Sequence, residues 1–404
     1  MYATVRICDI AEVKGGKRMP PNASLVTTRT NHPYIRGRDI RDGKIYVDEL
    51  LYVRDEDFER IRRYTVNNGD VCITIVGNIG DVGITPPQLH GASLTENAVK
   101  LVNLHEDFNP GFITYALLTP DAQSQMKLSA AGAAQAKLGI YKVNEIRITA
   151  PPLAIQQRIA GILSAYDELI ENSQRRIKIL EAMARGLYRE WFVHFRFPGH
   201  ENHPRVDSAM GEIPQGWELR KLKDVCNLVM GQSPKSEFYN DTGDGLPFHQ
   251  GVTNFGGRFP TDKLYCTSDG RLAYAGDVLF SVRAPVGRMN FANKKIILGR
   301  GLSAIRHKQN HQAFLWEQLG NKFTEVDMIG NGAIFASVTK DDVQNIELVC
   351  PPSSLIEAAT KHFEPIHLEV STLSDQIQNL RRTRDLLLPR LLSGQINVET
   401  AEHV

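Results

Sequence analysis

The chain contains one unit twice, and that repeat limits what it can fold into. Pro151-Pro152 returns as Pro351-Pro352, a displacement of 200 residues that also carries Gly132 onto Gly332, Val143 onto Val343, Ile146 onto Ile346, Leu180 onto Leu380 and Leu187 onto Leu387. Nearer the N-terminus the displacement grows, as loop insertions would make it. Gly69-Asp70-Val71 returns as Gly276-Asp277-Val278 and Gly80 as Gly287 at 207 residues, then Pro33, Gly37 and Gly43 as Pro247, Gly251 and Gly257 at 214. The matches keep their order over most of the 404 residues, so the chain reads as two copies of a unit of about 200 residues.

Each copy has two parts. The first is rich in glycine, β-branched residues and short apolar runs such as Val71-Cys72-Ile73-Thr74-Ile75-Val76 and Val278-Leu279-Phe280-Ser281-Val282. Both runs follow Gly-Asp and precede Gly or Pro turns, the pattern of buried strands. The second part is a long helix. Between about Leu153 and Phe195 there is no proline, and apolar residues recur every seven positions: Ile159, Tyr166, Leu180 and Leu187 in one row, broken by Ser173, and Leu163, Ile170, Ile177 and Trp191 in the next. The second copy repeats the rows as Ile366, Leu373, Leu380 and Leu387, then Phe363, Val370, Ile377 and Leu391. These are coiled-coil seams. Pro365 is expected to start or kink the second helix.

The fold class this predicts is α+β: two pseudo-repeated mixed α/β domains separated by two long helices that form an antiparallel coiled coil, with approximate internal twofold symmetry. A helix of forty residues would be a rod of roughly 60 Å. The boundaries fall at 1–150 for the first globular part, 151–197 for the first helix, 198–216 for a linker, 217–350 for the second globular part, 351–396 for the second helix and 397–404 for a tail.

Charge is informative only locally. The net charge is +1, so any nucleic-acid surface must be a patch. From Val278 to Trp316 there is no acidic residue, while Arg283, Arg288, Lys294, Lys295, Arg300, Arg306 and Lys308 all fall there. Lys14 to Lys44 likewise holds eight basic residues against Asp39 and Asp42. Five scattered cysteines with no CxxC pair argue against a disulfide framework or a zinc site. No signal peptide or run of membrane-spanning length stands out, so no membrane is expected and the chain is read as cytoplasmic.

Catalytic patterns do not assemble. Asn31-His32-Pro33-Tyr34 only approximates the Asn-Pro-Pro-aromatic loop of base amino-methylation, and no Phe-x-Gly-x-Gly loop accompanies it. There is no phosphate loop, HExxH or Gly-x-Ser-x-Gly. Gly77 to Gly83 lacks dinucleotide-binding spacing, and its counterpart Arg283-Ala284-Pro285-Val286-Gly287 marks it as a structural turn. Glu12-Val13-Lys14 has no suitable upstream Pro-Asp, and Pro120-Asp121 stands alone. No catalytic or metal-ligating residue is therefore nominated.

One segment carries a resemblance. Pro151-Pro152-Leu153-Ala154-Ile155-Gln156-Gln157-Arg158-Ile159, running on to Tyr188-Arg189-Glu190-Trp191-Phe192-Val193, is similar to the first conserved helix of the specificity subunits of type I restriction-modification systems. Gly211-Glu212-Ile213-Pro214-Gln215-Gly216-Trp217 resembles the start of that family's second target-recognition domain, and Leu391-Leu392-Ser393-Gly394-Gln395-Ile396 the end of its second helix. Ser353-Ser354-Leu355-Ile356-Glu357 and His194 depart from the pattern in ways that affect helix contacts.

The resemblance implies that each globular part is a target-recognition domain reading one half of a bipartite, asymmetric site in double-stranded DNA. The helices would set the spacer and dock two methyltransferase subunits, which carry S-adenosylmethionine, and restriction subunits, which use ATP and Mg²⁺; no cofactor is expected on this chain. By side-chain chemistry, the candidate DNA contacts are Arg36, Arg38, Asn78, Gln135 and Lys137 in the first copy. In the second they are Lys235, Arg258, Arg283, Arg288, Lys294 and Arg300. Tyr141 reads as a core aromatic, with a loop contact as the alternative. Arg175, Arg176, Arg381 and Arg382 are the candidate docking positions. Two other classes predict different behaviour. A protein-binding scaffold with duplicated domains would show no salt-dependent DNA affinity, and a fused methyltransferase would transfer methyl groups by itself.

Overall fold

A computed structural model of the chain describes residues 2–130, 136–209, 211–324, 337–396 and 398. The chain divides into two compact units, one formed by Met1–Asn172 with Ile377–Val404 and the other by Ser173–Gln376.

In the first unit, the strands Glu12–Gly15, Ala98–Val102, Val71–Thr74, Val82–Ile84, Gly43–Ile45 and Ile40–Arg41 lie side by side in that order. Val71–Thr74 and Ala98–Val102 are buried at every position. Both faces of these strands are covered, which explains the apolar run Val71-Cys72-Ile73; the one charge among them, buried Lys100, is satisfied by the Thr65 carbonyl and by Asp70 at 3.7 Å. A smaller sheet pairs Pro33–Ile35 with Leu51–Tyr52 and, in parallel, with Ser93–Leu94. Ala3–Arg6 and Arg147–Ala150 close the unit antiparallel, bringing its two ends together where the first long helix begins.

The second unit repeats this plan. Glu218–Lys221 pairs with Glu347–Cys350, and Cys226–Met230, Leu302–His307, Val278–Ser281 and Met289–Phe291 form the main sheet. Leu246–His249 lies parallel to Ile296–Leu298, as Pro33–Ile35 does to Ser93–Leu94. The amide of Leu222 donates to the Ile346 carbonyl at 2.8 Å, as that of Ile7 does to Ile146 at 3.0 Å.

The long helices span Leu153–Tyr188 and Ser353–Leu392. Within the first unit their segments run antiparallel. Arg158 Nη1 donates to the Val398 carbonyl at 3.0 Å, and nine residues further on Asp167 meets Arg384 at 2.5 Å. Within the second unit Arg176 meets Glu369 at 2.6 Å, and the Trp191 ring lies 5.7 Å from that of His362. Ile159, Leu163, Ile170, Phe363, Val370, Leu373, Ile377 and Leu391 are buried, as the seven-residue rows predict.

Of the two outcomes expected at Pro365, a helix start or a kink, the start is overturned. Pro365 does not begin the second helix, which starts at Ser353 and continues through it. Burial of Ile356, Ala359 and Phe363 against Tyr188, Phe192 and Phe314 offsets the one lost backbone hydrogen bond. The segment between the first helix and the second globular part has structure of its own. Arg205–Ser208 pairs with Gly211–Pro214, and Phe197, Ile213 and Trp217 bury into the second unit's aromatic cluster.

Candidate nucleic-acid interface

In each unit several chain turns meet at one end of the main sheet. After Val71–Thr74 the chain turns back tightly. The Thr74 hydroxyl donates to the Asn78 carbonyl, the Gly80 amide to the Thr74 carbonyl at 3.0 Å, and the Thr74 amide to the Asp81 carbonyl at 2.8 Å. Two strands from other parts of the chain are fixed beside the turn. The Ile75 amide reaches the Asn97 carbonyl at 2.8 Å, and the Leu138 amide reaches that of Ile75 at 3.0 Å.

The second unit builds the same turn from different residues. Ser281 Oγ donates to the Pro285 carbonyl at 2.6 Å, the Gly287 amide to the Ser281 carbonyl at 3.1 Å, and the Ser281 amide to the Arg288 carbonyl at 2.9 Å. The Val282 amide reaches the Gly301 carbonyl at 3.0 Å, and the Val338 amide reaches that of Val282 at 2.9 Å. Gly80 and Gly287 sit at φ 92° and 88°, the left-handed region that makes glycine the fitting residue here.

A second crossing joins this edge. A Cβ on Gly16 would lie 2.0 Å from the Thr95 carbonyl oxygen, and one on Gly231 would lie 2.1 Å from that of Gly299. The Lys17 amide bonds the Leu94 carbonyl at 2.8 Å, and the Gln232 amide bonds that of Leu298 at 2.9 Å. Both units thus present a rigid base that carries short exposed loops, the usual setting of recognition residues.

The candidate residues fall unevenly on this frame. Asn78 and Lys137 are exposed and brought together, since Val76 and Lys137 form a backbone bridge. The Asn78 side chain holds Asp81, whose carboxyl is nevertheless shifted upward because burial outweighs that bond. Gln135 lies outside the described residues. Arg36 holds Asp39 with two bonds, at 2.9 and 2.8 Å, and the Glu49 carbonyl at 2.5 Å. Arg38 is exposed and meets Glu49 at 3.2 Å.

In the second unit Arg283 and Arg288 are exposed at the two ends of the turn, and Arg300 stands exposed on the neighbouring loop. The Lys235 side chain is 81% exposed. Lys294 meets Asp262 at 2.8 Å, and Asp262 in turn holds the buried His249 at 3.0 Å.

Arg258 is a correction. It is 5% exposed, with its guanidinium 4.7 Å from the Trp316 ring centre and 5.0 Å from that of Phe291. It meets Glu181 at 3.6 Å and the Nδ1 of His367 at 2.6 Å. A guanidinium enclosed in this way has no open side to offer DNA. Burial pushes its pKa down, opposed by Glu181 and Glu317. Tyr141 is the reverse case: it is 70% exposed and not a core residue.

On the helices, Arg175, Arg381 and Arg382 are exposed, while Arg176 is engaged in its ion pair with Glu369. Sequence reasoning missed the polar groups that tie helix to sheet. Asp167 is buried and accepts the Tyr115 hydroxyl at 2.6 Å and Arg384 Nη1 at 2.5 Å. The available signal was an acid one turn from Leu163 and Ile170, on the apolar face. In the second unit Glu317 is buried and bonds His367 Nε2 at 2.9 Å. Among the described residues no group of three or more His, Cys, Asp or Glu could hold a metal ion, and no helix is long and apolar enough to cross a membrane.

A duplicated fold of this kind, with one loop-bearing edge per copy, defines a class of recognition protein, and comparison with known proteins gives its family. The family model for the type I restriction modification DNA specificity domain matches residues 1–182 and 214–358. The chain belongs to that family. It is 30% identical over 384 residues to a Methanocaldococcus jannaschii protein named as the MjaX type I restriction enzyme specificity subunit, covering 92% of this chain and 89% of the other. It is 24% identical to the MjaIX specificity subunit of the same organism, covering 98% and 93%. The type I restriction-modification S subunit from M. genitalium shares the fold, with a TM-score of 0.62 at 15% identity over 97% of this chain and 96% of that one.

Proposed function

We propose that this chain is the non-catalytic DNA-reading subunit of a type I restriction-modification complex. Each unit reads one half of a bipartite, asymmetric site in double-stranded DNA. The observation that carries this reading is the duplicated edge: the same backbone hydrogen bonds recur in both units, while the exposed side chains differ, Asn78 and Lys137 in one and Arg283, Arg288 and Arg300 in the other. One frame with two sets of side chains suits a site whose halves are unlike. The paired helices act as the spacer, because half-sites about one helical turn apart need a fixed separation between readers. Their exposed faces, with Arg175, Arg381 and Arg382, dock two methyltransferase subunits carrying S-adenosylmethionine. Restriction subunits using ATP and Mg²⁺ join that assembly, and it works in the cytoplasm.

The test is to map adenine methylation across the genome of cells carrying this chain and its methyltransferase partner, with and without the gene. A two-part asymmetric motif that disappears on deletion is the expected result. Exchanging residues 1–150 should then change only one half of it. A methylation pattern indifferent to the deletion would sink the proposal.

A further inference from the structure

The two copies allow a comparison that a single domain could not provide. The turn Arg283–Arg288 of the second unit has the backbone bonding of Val76–Asp81 in the first, so Arg283 stands where Val76 does and Arg288 where Asp81 does. The turn therefore forms in the first unit with a valine and an aspartate at these stations. Neither arginine is required to build it.

The cations around them are accounted for differently. Within the acid-free stretch from Val278 to Trp316, Arg306 meets Asp277 at 2.6 Å and Lys294 meets Asp262 at 2.8 Å. Lys308 donates to the carbonyls of Lys223 and Asp224 at 2.8 and 2.9 Å. Among the described residues, Arg283, Arg288, Lys295 and Arg300 have no acidic partner. Lys295 lies beyond the far end of the strand Met289–Phe291. The other three share the recognition edge, tied together by the Val282–Gly301 hydrogen bond. In the first unit four basic residues of the corresponding stretch are paired instead: Arg18 with Glu96 at 2.7 Å, Arg36 with Asp39, Arg38 with Glu49, and Lys44 with Glu171 at 2.8 Å; exposed Lys137 is the cation left at its edge.

An arginine already holding a carboxylate must release it to bind DNA, whereas an exposed one has only water to lose. Its planar fork of donors, with no acceptor, matches the O6 and N7 acceptors of guanine. We infer that Arg283 and Arg288 are the specificity-determining residues of the second unit and that they read guanine in its half-site. Arg300 on the neighbouring loop holds phosphate. This rests on the DNA-reading function proposed above and adds to it the residues and the base. The first unit, with Val76 and Asp81 at the same stations, does not read guanine there.

The experiment reconstitutes the full chain with its methyltransferase subunit and maps methylation for wild type, Arg283→Ala, Arg283→Val and Arg288→Ala. The valine variant copies the first unit's own turn, which guards against a folding artefact. The expected result is degeneracy at one or two guanine positions of one half-site, the half that exchange of residues 217–350 also changes, with the other half unaltered. Binding to a duplex carrying 7-deazaguanine at those positions should fall roughly tenfold for wild type and be indifferent for the variant that lost the contact. An unchanged motif in every variant overturns the inference. So does a motif that stays intact while total methylation and the salt dependence of binding fall together, because that pattern means phosphate contact. A wild-type complex that yields no bipartite motif defeats the underlying function instead, and it does so before any variant is made.

Discussion

At the residue scale, the groups that matter most for stability are those that join a sheet domain to its helices. Asp167 is a buried carboxylate with two donors, the Tyr115 hydroxyl and the Arg384 guanidinium. Burial, and then Asp167 itself, pushes the Tyr115 pKa well up, so the phenol stays a donor at all ordinary pH. Asp167→Ala leaves both donors without their acceptor and should cost about 2–3 kcal/mol, while Tyr115→Phe should cost about 1 kcal/mol. Urea unfolding followed through the first unit measures both. Arg258→Ala in the second unit removes a buried cation from Glu181 and His367 and should cost about 3–5 kcal/mol. The same change at exposed Arg300 should stay within about 0.5 kcal/mol. Equal losses at the two sites would show that the burial assigned to Arg258 is wrong. In the sequence Arg258 and Arg300 look alike, because both are arginines that directly follow a glycine in the second globular part. Only folding places one between Trp316 and Phe291.

Among the elements, the crossing at Gly16 and Gly231 is the most constrained. A methyl group at either position would overlap a carbonyl oxygen at 2.0 or 2.1 Å, so the loops must separate. Gly16→Ala is expected to weaken recognition of one half-site and Gly231→Ala that of the other, each read as degeneracy confined to that half of the methylation motif. Loss of both halves from either substitution would mean that the two edges are not independent. The seven-residue rows made the long helices legible in the sequence, because a seam repeats and burial follows it. The convergence of Gly16, Thr95, Ile75 and Leu138 was not legible. Their meeting depends on long-range strand pairing, and no local pattern records it. Pro365 shows a local rule overridden: its cost is fixed, and the burial of Phe363 and its neighbours is larger.

For the whole molecule, duplication was the readable feature, since ordered matches at 200, 207 and 214 residues survive even where side chains have diverged. Divergence between the copies also gives them different responses to acid. Burial, reinforced by neighbouring His311, lowers the pKa of His307 to about 4. Burial also lowers His249 against the opposing pull of Asp262, and His367 against that of Glu317. All three lie in the second unit. A histidine whose folded pKa is depressed is neutral in the native state, while the unfolded chain takes up its proton near pH 6.5. The unfolded state therefore binds more protons between those values, and stability is present above about pH 6.5 and lost as pH falls toward 4. For His307 alone the loss by pH 5 is about 2 kcal/mol, which lowers a melting transition of this size by roughly 4–8 °C. In the first unit shifted carboxylates move both ways, Asp70 upward through burial and Asp9 downward through its bond to Arg6, so their effects partly cancel. Calorimetry at pH 7 and pH 5 should therefore show the second unit's transition moving down further than the first's, with His307→Gln reducing the difference. Transitions that move together, or a His307→Gln protein as acid-sensitive as wild type, would mean that the acid response does not arise from the buried imidazoles.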